Sequence, residues 1–104
     1  MKQYHVVVTD PAMEDLRSIS QYIAEELMEP DTAKSLIAQL KEAVASLSFM
    51  PGRNTLVSDE RLAAQGIRKL LVGNYIIFYV VSDKDTFVTV LRFLYGRRDW
   101  EHLL

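Results

Sequence analysis

Residues 66–96 read GIRKLLVGNYIIFYVVSDKDTFVTVLRFLYG: three runs rich in β-branched and aromatic side chains, separated only by VGN and SDKD. Short polar or glycine-containing connections of this kind turn a chain back on itself, so the three runs are expected to form a three-stranded antiparallel meander. A meander with apolar side chains on its strands needs a cover, and the rest of the chain has to supply it.

The first half is built for that. Tyr4, Val6 and Val8 alternate with Gln3, His5 and Val7, which predicts a short first strand ending at Thr9-Asp10-Pro11. Asp10 can cap a helix and Pro11 suits its first position. Met13, Leu16, Ile19, Ile23 and Leu27 then recur every three or four residues, predicting an amphipathic helix with an acidic outer face. Pro30 ends that pattern, Asp31 or Thr32 can cap a second helix, and Leu36, Ile37, Leu40, Val44 and Leu47 form its apolar stripe up to Met50-Pro51-Gly52. Residues 53–65 are polar without a period and are read as a loop of about a dozen residues with one helical turn. The expected fold is α+β, in the order β-α-α-β-β-β. A helical hairpin packs on one face of a mainly antiparallel sheet, and residues 1–104 make a single domain.

Charge places any anion-binding surface. The net charge is −2, but residues 1–52 carry −4 and residues 53–104 carry +2. A phosphate-binding surface therefore has to be local and confined to the second half. With no cysteine and two separated histidines, neither a disulfide framework nor a metal site is expected, and no cofactor is implied. The N-terminal MKQYHVVVTD is too short an apolar run for a signal core or a membrane span, so a cytoplasmic location away from membranes is expected.

Three stretches, YHVVVTDPAMEDLRSISQYIAEEL, GIRKLLVGNYIIFYVV and VTVLRFLYGRRDW, in this order and separation, resemble the RelE/ParE toxin superfamily of bacterial type II toxin-antitoxin modules. The resemblance implies a growth-inhibiting toxin neutralised by a cognate antitoxin. RelE-like members cut messenger RNA on the ribosome, whereas ParE-like members inhibit DNA gyrase.

Metal-free RNA cleavage by 2'-OH attack needs a base, an acid and cations on the phosphoryl oxygens. The candidates for that chemistry are Arg68, Arg92, Tyr95, Arg97 and His102; Lys69 and Glu60 lie in the same half. Carrying the resemblance over residue by residue, Ile76 stands where nucleolytic members commonly have an arginine. Leu94 stands where some of them have a histidine. A gyrase inhibitor needs only a complementary surface, for which Arg68, Arg92, Arg97, Arg98 and Trp100 are the candidates. The pattern EDLRSISQYIAEEL is also more similar to the ParE branch. The expected partners are therefore a cognate antitoxin, with acidic residues to suit the arginines, and DNA gyrase. Ribosome-bound mRNA is the alternative target, and a degenerate toxin that only binds antitoxin is the further alternative. Arg92, a charge in an otherwise apolar strand, fits either a functional role or a structural ion pair.

Overall fold

Thr9, rather than Asp10, caps the first helix: its backbone is extended and its Oγ1 accepts the Ala12 N–H at 3.2 Å. The computed structural model describes residues 2–96, 103 and 104. Strand β1 (His5–Val8) leads through Thr9 into helix α1 (Asp10–Gln21), which has Asp10 and Pro11 in its first turn. Either residue could have started the helix by its chemistry. Thr9 takes the role because its hydroxyl also donates to the Leu91 carbonyl at 3.0 Å and so ties the helix start to the sheet.

The predicted first helix does not run to Leu27 as an α-helix. Its last turn, Tyr22–Glu26, is π-helical, with the Leu27 N–H bonded back to the Tyr22 carbonyl at 3.1 Å. Met28 follows in the left-handed region (φ 54°), and the reversal is completed before helix α2 (Pro30–Ser46). Pro30 opens α2 instead of merely separating the helices, and Glu29 stands at the cap without a side-chain bond, so neither Asp31 nor Thr32 caps it. Of the expected α1 stripe, Leu16 and Ile23 are buried, but Met13 and Leu27 are 40% and 49% exposed.

Strands β2 (Arg68–Val72), β3 (Tyr75–Ser82) and β4 (Phe87–Tyr95) form the expected meander. The sheet order is β1-β4-β3-β2, with β1 parallel to β4. The α+β fold in the order β-α-α-β-β-β therefore holds; the helical turn expected in the 53–65 stretch is helix α3 (Glu60–Ala64), and a 3-10 turn at Pro51–Arg53 leads into that stretch.

The hairpin covers one sheet face through Ala12, Leu16, Leu40 and Leu47, against Ile77, Tyr79, Val88, Val90 and Phe93. The other face is not left bare. Val57, Leu62 and Ile67 pack on Ile76, Phe78 and Leu94, and Leu103 and Leu104 join this second cluster. A bulge makes the two faces compatible along β4. Phe78 pairs with Arg92 and Tyr79 with Val90, so Leu91 is the extra residue and the inward parity changes there. Val88 and Val90 before the bulge and Phe93 after it all face the hairpin.

Tyr79 joins the loop to the sheet. It is fully buried; its hydroxyl donates to the Pro51 carbonyl at 2.5 Å and accepts from Asn54 Nδ2 at 3.0 Å. Burial raises its pKa above the ordinary 10.0, opposed by the Asn54 hydrogen bond and by the charges of Arg68 and Arg53. The native state thus keeps the phenolic proton to higher pH than the unfolded chain does. The associated stability is fully present below pH 10.0 and is lost as pH rises through the native value. Tyr75, raised chiefly by burial, and Tyr4, raised chiefly by its hydrogen bond to Asp83, act in the same direction. Tyr79→Phe is expected to cost about 1–2 kcal/mol at neutral pH through the lost hydrogen bonds. It is also expected to flatten the alkaline fall in stability, measured by urea unfolding across the alkaline range.

Candidate functional site

Where β1 ends, the edge of β4 is left without a neighbouring strand, and α1 side chains take over. The Thr9 N–H reaches the Val90 carbonyl at 3.1 Å, the Thr9 hydroxyl the Leu91 carbonyl, and Asp15 Oδ2 accepts the Phe93 N–H at 3.0 Å. These bonds continue the β1 ladder by other means and fix α1 along β4.

Asp15 also resolves the question posed by Arg92. Arg92 Nε donates to Asp15 Oδ2 at 2.6 Å and Nη2 to Oδ1 at 2.8 Å, a two-pronged pair with side chains 23% and 13% exposed. The third nitrogen, Nη1, donates to the Leu103 carbonyl at 3.1 Å. The Asp15 hydrogen bonds, and secondarily its charge, hold the Arg92 proton more firmly against the opposing effect of burial. Each of the three guanidinium nitrogens of Arg92 thus makes a hydrogen bond within the protein.

The other expected residues do not gather around it. Arg68 lies on β2 opposite Tyr79, with Nη1 donating to the Asn54 carbonyl at 2.6 Å. Tyr95 pairs with Tyr75, which pairs in turn with Val72. The two candidates are therefore four residues apart along the sheet, about 13 Å, as well as two strands apart. Ile76 and Leu94 are 7% and 2% exposed, inside the second cluster. Arg97, Arg98, Trp100 and His102 lie outside the described residues. Lys69 faces Phe78 across β2 and β3, and Glu60 opens α3.

Beside Tyr95 a groove of about 710 Å³ opens between the hairpin and the ends of β3 and β4. Ile19, Ile23, Leu27 and Phe93 give it apolar walls; Tyr22, Tyr75 and Tyr95 give it aromatic ones; Asp15 and Glu29 are the carboxylates. The Tyr75 and Tyr95 rings meet edge to face at 5.5 Å. The Tyr75 pKa is raised by burial first, then by Tyr95 and by Tyr22, so the three phenols share one neighbourhood. The sequence reading passed over Asp15, Tyr22, Tyr75 and Glu29 as site residues. A signal was present for two of them: Asp15, Ile19 and Tyr22 recur at helical spacing and share one side of the first helix.

Among the described residues, no group of three or more His, Asp or Glu is placed to hold a metal ion. No described helix is long and apolar enough to cross a membrane.

The family model described as "ParE toxin of type II toxin-antitoxin system, parDE" matches residues 6–100. No curated protein matches the sequence. Among solved structures, the chain is similar to the chromosomal ParDE toxin-antitoxin system from P. aeruginosa (TM-score 0.73, 18% identity, covering 91% of this chain and 98% of that one). It is also similar to the RelBE2 toxin-antitoxin complex from Mycobacterium tuberculosis (TM-score 0.65, 24% identity, 89% and 98% covered). A third likeness is to the intact E. coli RelBE complex (TM-score 0.62, 17% identity, 91% and 99% covered). At these identities the structural likenesses speak for the fold, while the family match spans nearly the whole described sheet and both helices. The chain belongs to the ParE toxin family and is the toxin of a type II toxin-antitoxin system.

Proposed function

We propose that this toxin acts in the cytoplasm by inhibiting DNA gyrase, not by cutting RNA, and that a cognate antitoxin holds it inactive. The observation that carries the reading is the state of Arg92. A cation meant for a phosphoryl oxygen has to be available to it, and this one is closed into a bidentate pair with Asp15. The surrounding chemistry supports the same conclusion. Leu94 and Ile76, at the positions where nucleolytic relatives carry a base and a cation, are core residues of the second cluster. Arg68 is about 13 Å along the sheet from Tyr95, too far for one phosphate to meet both. A gyrase inhibitor needs none of these groups to converge; it needs a surface, for which Arg68, Arg97, Arg98 and Trp100 are the proposed contacts.

The test is induction of the toxin without antitoxin, with supercoiling by purified gyrase and message integrity read in parallel. Blocked supercoiling with intact message is the expected result. Cut message with normal gyrase would overturn the proposal in favour of the nuclease. Normal growth with neither effect would leave a chain that only binds antitoxin.

A further inference from the structure

The groove beside Tyr95 has a chemistry opposite to that expected of a toxin's target-facing surface. Its lining contains three tyrosines and two carboxylates, and among the described residues no lysine or arginine. Asp15 is already neutralised by Arg92, so Glu29 is the carboxylate in the lining whose charge is not matched by a described ion pair. Two further carboxylates, Glu25 and Glu26, are exposed on the adjoining turn.

The aromatic groups are not simply core. Tyr22 is 54% exposed, because the π-helical turn it begins carries it out over the groove, and Tyr75 and Tyr95 are half-buried on the opposite wall. Aromatic ring faces are electron-rich, so rings grouped beside a carboxylate attract a cationic side chain and repel an anionic one. Ile19, Ile23 and Leu27, next to the rings, offer apolar contact to whatever flanks that cation.

We infer that the groove formed by Tyr22, Tyr75, Tyr95 and Glu29 receives an arginine or lysine of the antitoxin, flanked by aliphatic residues that pack on Ile19, Ile23 and Leu27. The inference rests on the antitoxin part of the proposed function and not on the choice of target. It divides the neutralising segment into two polarities: an acidic stretch facing the toxin's C-terminal arginines, and a basic residue anchored between the hairpin and the sheet. A guanidinium suits the site better than an ammonium, because its flat face can lie on one ring while its edge donates to Glu29.

The test uses the full-length toxin. N-acetyl-arginine amide, N-acetyl-glutamate amide and inorganic phosphate are titrated separately while the ring proton signals of the tyrosines are followed by NMR. The arginine compound is expected to shift Tyr22, Tyr75 and Tyr95, and the two anions to leave them in place. Affinity for the polypeptide encoded beside the toxin is then measured. Tyr22→Ala and Glu29→Lys are each expected to weaken it about tenfold or more, while Tyr22→Phe, which keeps the ring, holds the affinity within about twofold. Ring shifts caused by phosphate or by the glutamate compound would overturn the inference, as would an arginine titration that moves none of the three tyrosines. So would unchanged affinity in both Tyr22→Ala and Glu29→Lys. None of these readouts involves gyrase, so a failure here is distinct from a failure of the proposed target.

Discussion

Ile76→Arg, which installs the cation that nucleolytic relatives carry at this strand position, is expected to remove a large share of the protein's stability rather than create a nuclease. Ile76 is 7% exposed and packs in the apolar cluster of Val57, Leu62, Ile67, Phe78 and Leu94. An unpaired guanidinium there costs about 4 kcal/mol or more. The whole stability of a domain this size is about 5–15 kcal/mol. Leu94→His, at 2% exposure, is the milder version, with an expected loss of about 2–3 kcal/mol, because a neutral imidazole still buries two polar nitrogens. Urea unfolding measures both. The decisive contrary result would be an Ile76→Arg protein that unfolds cooperatively within about 1 kcal/mol of the parent and cleaves message, since the second face would then be open to substrate.

The second large effect is at Asp15. Asp15→Ala removes the partner of Arg92 Nε and Nη2 and the acceptor of the Phe93 N–H in one step, leaving a half-buried guanidinium without a counter-charge. The expected loss is about 2–4 kcal/mol. Arg92→Ala should cost less, because Asp15 keeps the Phe93 N–H and some access to water. The double variant should be more stable than the summed single losses imply, by about 2 kcal/mol, the coupling of a bidentate pair that is only partly desolvated. This cycle also separates the roles weighed for Arg92. If its side chain served only to touch a target, Arg92→Ala would abolish toxicity with stability intact, and the two single effects would add.

The parts of this fold that were legible in the sequence are those set by local periodicity. The β-branched and aromatic runs at 75–82 and 87–95, and the three-to-four spacing of Leu16, Ile19 and Ile23, mark strands and a helix whatever the partner turns out to be. What escaped the sequence depends on a partner far along the chain. Thr9 prevailed over Asp10 because the sheet offered it a carbonyl 82 positions away. Arg92 was visible as an anomaly, yet its answer, Asp15, lies 77 residues earlier and looks like one more exposed helix acid. The second cluster was hidden for a related reason. Val57, Leu62 and Ile67 are spaced by five and five, which matches neither regular period, so a loop that covers a sheet face read as a polar connection.

The parallel pairing of β1 with β4 also bears on when a toxin molecule comes into existence during its own synthesis. A strand near the N-terminus and the helix after it are fixed by backbone groups that the ribosome adds roughly 80 residues later. Hairpin β2–β3 can close as soon as it emerges, but α1 has no edge to settle on until β4 has been made. Interrupted translation therefore releases fragments with neither the closed sheet nor the groove beside it. A folded toxin thus requires a chain translated through β4.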